Sequence, residues 1–125
     1  MPFRVSTEQF DRLAEEALAS IAPRFRKRLT NVVVAVEEDS LGGELLGLHE
    51  TGLPHGLPDR ITIYQRPHEL EATSLESLRR LVEETVIHEV GHYFGLNERE
   101  VLRMERRIAA NRSGSVHRRT RVPRR

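Results

Sequence analysis

From Ser6 to about Leu29, apolar residues recur at helical spacing, with Phe10, Leu13, Ala14, Ala17, Leu18 and Ile21 on one face and acids opposite. That periodicity predicts an amphipathic helix laid on a core. Ser6 or Thr7 offers its N-cap, and Pro23 predicts a kink or an end near Ala22, because proline removes a backbone donor and crowds the preceding turn. Arg24 to Arg28 then form a basic last turn or connector, with charge that suits a helix C-terminus. Val32 to Val36 is short and β-branched, which predicts a buried strand, and Leu45 to Leu48 predicts a second, weaker one. Thr51 to Asp59 is rich in Gly and Pro and reads as a loop. Arg60 to Arg66 alternates with period two, Ile61 and Ile63 against Thr62 and Tyr64, and predicts a strand ended by Pro67.

Thr73 and Ser74 offer caps for a long helix running through Leu75, Leu78, Leu81, Val82, Thr85 and Val86 to Phe94, with Gly95 as its C-cap. A last helix from Asn97 or Glu98 to about Ala110 carries Val101, Leu102 and Ile108, and places Met104 in ordinary core. Helices that flank a central group of strands predict an α+β fold: a small, mostly antiparallel or mixed sheet packed against a long N-terminal helix and a central helix. No internal repeat is present. The expected organisation is one domain over residues 1–110, followed by a disordered Arg-rich tail over 111–125, NRSGSVHRRTRVPRR.

Composition narrows the chemistry. With 125 residues the chain is the size of one domain. It has no cysteine, which excludes disulfides, thiolate metal sites and thiol nucleophiles, so any metal must be held by His, Asp or Glu. The longest apolar run is the five residues Val32 to Val36, far short of the ~20 a membrane helix needs. The N-terminus lacks a signal-peptide core, so the expectation is a soluble, cytoplasmic protein with no membrane partner. The net charge of +1 conceals a division: residues 1–105 hold 12 Lys and Arg against 19 Asp and Glu, and residues 106–125 hold eight Arg and no acid. An acidic body repels phosphate, so nucleic acid or another polyanion is an expected partner only through the tail.

The chemistry concentrates in His88-Glu89-Val90-Gly91-His92, an H-E-x-x-H pattern inside the long helix. At ~100° per residue His92 lies about 40° around the axis from His88 and one turn along, so both imidazoles converge on one tetrahedral cation. Glu89 stands beside that face, within reach of a water. Leu78, Leu81, Val82, Thr85, Glu89 and His92 share one side of the helix, while Ile87, Val90 and Phe94 cover much of the rest, so the helix is central and buried. Each uncompensated polar group there costs roughly 2–7 kcal/mol, and a divalent metal compensates three of them. Gly91 within the helix predicts a close neighbour at that point, with the backbone of the 60–66 strand the candidate.

The pattern continues to H-E-x-x-H-x-x-G-x-x-E. On an unbroken helix, residue 98 would lie about 9 Å beyond His92. A left-handed Gly95 reverses the chain and lets Glu98 swing back as a third ligand. Glu98 also has the place of an ordinary first-turn acid of the last helix, and His68 or His49 is the substitute ligand if it serves only there. Otherwise His49, His55, His68 and His117 are expected to be solvated. Tyr64 either lines a substrate cleft or is an ordinary outward tyrosine on a strand.

HEVGHYFGLNEREV, preceded by LPDRITIYQRP and by a helix leading into NVVVAVEED, resembles the small bacterial zincin-like metallopeptidases, a family with a minimal matrix-metalloprotease-like domain. The resemblance covers about residues 5–105. It implies that His88, His92 and Glu98 hold zinc and that Glu89 is the general base of a metallopeptidase; a peptide or unstructured protein is the expected substrate. The chain departs from the metzincins in having Glu rather than His as third ligand, and in lacking a methionine turn. Substrate is expected to add as a strand, with 60–66 the candidate edge. The competing reading is a catalytically latent, zinc-binding interaction module whose tail contacts acidic partners.

Overall fold

The computed structural model describes residues 3–21, 25, 27–40, 42–54 and 56–113, with side chains as far as Arg107. The first helix, α1, spans Thr7–Ala19, with the Ser6 side chain accepting a hydrogen bond from Gln9 N as N-cap. It stops at Ser20, short of the predicted break; Pro23 lies outside the described residues. Phe10, Leu13, Ala14 and Ala17 bury the predicted face.

Three strands follow: β1 (Val32–Glu37), β2 (Gly47–Glu50) and β3 (Asp59–Tyr64). The order is β1-β3-β2, with β1 and β3 parallel and β2 antiparallel to β3. The sheet is therefore mixed, within the α+β class the pattern predicts. Cross-strand rows Val34–Ile61–His49 and Val36–Ile63–Gly47 point to the helical layer, where Ile61 and Ile63 are fully buried. Two expectations change here. The 60–66 segment is the central strand rather than an edge, and β1 is half-buried because it lies at an edge, with Val33 44% exposed. Thr62 is buried as well, with Arg60 Nε donating to its hydroxyl at 3.3 Å.

Tyr64 closes β3, and Gln65–Glu71 form a short helix, α2, that the period-two reading of 60–66 misses. Pro67 sits in its first turn, where backbone N–H groups have no intrahelical partner and proline loses nothing. Leu75–Tyr93 form α3, opened by a reciprocal cap in which Ser77 N donates to Ser74 Oγ and Ser74 N to Ser77 Oγ. Leu78, Val82, Val86 and Val90 are fully buried and Ile87 nearly so; α3 packs on α1 at one side, on β2 and β3 at another, and on the final helix α4 (Glu98–Ser113) at a third. Met104 joins the core as expected. The backbone of α4 runs through Ser113, three residues beyond the expected domain end, and residues 114–125 lie outside the described residues. Among the described residues, no helix is long and apolar enough to cross a membrane.

Candidate metal centre

The site is built where α3 ends. Phe94 caps the helix, Gly95 takes φ +78°, Gly95 N donates to His92 O and Leu96 N to Gly91 O at 2.9 Å each. These two bonds are a Schellman closure, which needs a left-handed residue after the cap and so selects glycine. The chain reverses as predicted and starts α4 three residues later. Asn97 and Glu100 then cap each other's backbone: Glu100 N donates to Asn97 Oδ1 and Asn97 N to Glu100 Oε1, both at 2.9 Å. Glu100 thus takes the capping role, and the Glu98 carboxylate at the first position of α4 turns to the histidines.

Its Oε2 lies 3.4 Å from His88 Nε2 and 3.5 Å from His92 Nε2, and the three donor atoms all fall within 4.8 Å of one another. Zinc bonds of 2.0–2.1 Å at tetrahedral angles separate neighbouring ligand atoms by about 3.4 Å, which the Glu98 contacts match. Two imidazole nitrogens and a carboxylate oxygen are also a zinc donor set that leaves a fourth position for water or substrate. His88 is 5% exposed, His92 36% and Glu98 67%, so the centre opens to solvent on the Glu98 side.

Glu89 is buried beside this group, its Oε1 3.5 Å from His92 Nδ1. Burial raises its pKa, and the positive charge available at His92 and His49 works against that rise. Gly91 has the close neighbour that its place in the helix predicts, though the neighbour is Val101 of α4: a Cβ at Gly91 would lie 2.5 Å from Val101 Cγ2. Two helices thereby meet directly behind the ligands.

The other candidates are placed as follows. Tyr64 lies on the outer sheet face with Arg60 and Thr62, in the fields of Glu50, Glu37 and Arg60, and away from Glu89. His68 is not solvated: it is fully buried, its Nδ1 2.6 Å from Tyr64 O and its Nε2 2.8 Å from Thr85 Oγ1, which commits both nitrogens to the fold rather than to a metal. His49 is also only partly exposed, with Nε2 2.8 Å from Asp59 Oδ2, and is not among the three converging donors. His55 and His117 lie outside the described residues. Sequence reasoning missed Gly47. A Cβ there would meet Thr85 Cγ2 at 2.8 Å, Glu89 Cγ at 3.1 Å and Glu89 Oε2 at 3.3 Å, so its bareness lets β2 lie against Glu89. The cue was present: Gly47 and His49 alternate on one face of the weak second strand.

Residues 29–108 match the family model described as zincin-like metallopeptidase. A solved structure of a conserved hypothetical protein from Thermo thermophilus is 25% identical, with a TM-score of 0.55, over 72% of this chain and 94% of that one. No curated protein matches. The matched span contains His88, Glu89, His92 and Glu98 together with the turn and sheet that position them, and on that match the chain belongs to the zincin-like metallopeptidase family.

Proposed function

We propose that this protein is a zinc-dependent metallopeptidase in which His88, His92 and Glu98 hold the metal and Glu89 is the general base. The observation that carries this reading is the convergence of three donor atoms within 4.8 Å beside a buried carboxylate. Bound there, zinc lowers the pKa of water to about 7 and polarises a carbonyl. Glu89 accepts a proton from the attacking water and delivers it to the amine nitrogen as the peptide C–N bond breaks. Desolvation supports that role, because a carboxyl held above its usual range is a stronger base once ionised. His92, with Nδ1 toward Glu89 and Nε2 toward Glu98, presents the lone pair of Nε2 to the metal when its proton is on Nδ1.

The substrate is an extended or unstructured polypeptide. With β3 in the middle of the sheet, the strand available beside Glu89 is β2, which among the described residues pairs on one side only. Its second edge offers backbone groups to an added strand.

Glu89→Gln tests the reading, because it conserves shape and hydrogen bonding while removing the base. The variant is expected to bind zinc one to one, as wild type does, and to lose about 10²–10⁴-fold in cleavage rate on a library of unstructured peptides. Absence of cleavage by zinc-loaded wild type would move the assignment to a zinc-stabilised interaction module. Equal, chelator-insensitive cleavage by both proteins identifies a contaminant.

A further inference from the structure

On the inner face of β2, alternation puts Gly47 and His49 side by side, opposite α3. Thr85, Glu89 and Tyr93 are spaced by four and form one ridge of that helix. Gly47 lies against Thr85 and Glu89. One residue pair further along, the His49 ring meets Tyr93 edge-on at 6.1 Å between centroids. His49 is thereby carried past Glu89 on the strand that walls the site.

The imidazole is held. Asp59 at the start of β3 accepts Gly52 N at 2.9 Å through Oδ1 and faces His49 Nε2 at 2.8 Å through Oδ2. Those two contacts, with the backbone bond the larger influence, lower the Asp59 pKa. An ionised carboxylate can only accept, so His49 donates from Nε2. This fixes the ring and its proton and leaves Nδ1 as the nitrogen Asp59 does not use. A side chain that served only to close the hairpin would be equally well placed on the outer face. This one lies on the face that borders the proposed base.

We propose that His49, ion-paired through Nε2 with Asp59 as the imidazolium, is a second catalytic residue, its Nδ1–H donating to the oxygen of the scissile carbonyl as the carbon becomes tetrahedral. The proposal rests on the peptidase reading above. Glu89 handles the proton of the attacking water, and His49 stabilises the charge that develops on the carbonyl oxygen.

The test uses the full-length, zinc-loaded protein and two readouts: turnover of the unstructured peptide library, and calorimetric binding of a phosphinic peptide, whose tetrahedral, charged phosphorus centre mimics the reacting carbon. His49→Phe is expected to keep zinc stoichiometry and KM, to lose about 10²-fold or more in kcat, as removal of one oxyanion donor does, and to bind the phosphinic peptide at least tenfold more weakly. His49→Gln, which keeps a donor, is expected to recover part of both losses and guards against a folding defect in the first variant. Unchanged kcat and unchanged phosphinic affinity in both variants overturn the proposal, as does a wild type that binds no phosphinic peptide. A wild type that binds it in a His49-dependent way but cleaves nothing refutes the peptidase reading and leaves the His49 contact standing.

Discussion

Replacing Gly47 with alanine adds one methyl group at the point where β2 touches α3. Gly47 has no positive φ to preserve, so the backbone accepts alanine and the whole effect is steric. The new carbon would stand 2.8 Å from Thr85 Cγ2 and 3.1 Å from Glu89 Cγ, against the roughly 3.5–4.0 Å at which carbon atoms pack comfortably. Thr85 cannot rotate aside: it is β-branched, and its hydroxyl is committed to Leu81 O at 3.0 Å and His68 Nε2 at 2.8 Å. The strand must lift and the Glu89 side chain must move. Overpacking of this kind costs about 1–3 kcal/mol, and for a domain of this size each kcal/mol lowers Tm by about 4 °C. Displacing the base by about 1 Å costs on the order of 10²-fold in rate, while the metal ligands are untouched. The expected variant is folded, zinc-loaded, less stable and nearly inactive. Thr85→Ser in the same chain removes Cγ2 and keeps the hydroxyl, so it should restore much of the stability and little of the activity, because the contact with Glu89 remains. Calorimetric Tm, zinc content and peptide turnover of the two single variants and the double variant measure this. A Gly47→Ala protein with wild-type Tm and turnover, or a double variant no more stable than Gly47→Ala, refutes the close approach of β2 to Glu89.

Two further outcomes follow from the same geometry. Gly95→Ala meets no atom within 4 Å, so its effect is the backbone strain of φ +78°, about 1–2 kcal/mol; zinc titration should show weaker binding because the turn that returns Glu98 loosens, and unchanged affinity would mean that Glu98 does not depend on that turn. For the metal-free protein, burial holds the Glu89 pKa above 4.5, so between 4.5 and the raised folded value the native state binds more protons than the unfolded one, and stability falls as pH rises through that window. Glu89→Gln should therefore melt higher than wild type at pH 7 and lose that advantage below about pH 4.5, as thermal scans across pH can check; a Glu89→Gln protein less stable at pH 7 refutes the sign.

The ligand pair and the turn after it are local, and were legible in the sequence for that reason. His88 and His92 are one helical turn apart whatever surrounds them, a left-handed glycine ends a helix wherever it stands, and Asn97 can cap the next helix without any distant partner. The α+β class follows from periodicity in the same way. Apart from the short helix at Gln65–Glu71 and the early end of α1, the misreadings concerned contacts between residues far apart in the chain. The order β1-β3-β2 puts Arg60 to Tyr64 in the middle of the sheet because β1 pairs in parallel with a strand more than 20 residues later, and no local pattern carries that pairing. Gly91 advertised a close neighbour, but only packing chose Val101 over a strand. His68 looks solvated in isolation and is buried because Thr85, 17 residues on, completes its hydrogen bonds. Gly47 and His49 acquire meaning only when β2 is laid on α3. The sequence by itself determined which side chains meet across a single helical turn, because covalent geometry sets that spacing. The tertiary structure decided what stands opposite them, because burial and hydrogen-bond satisfaction are properties of the whole packed chain.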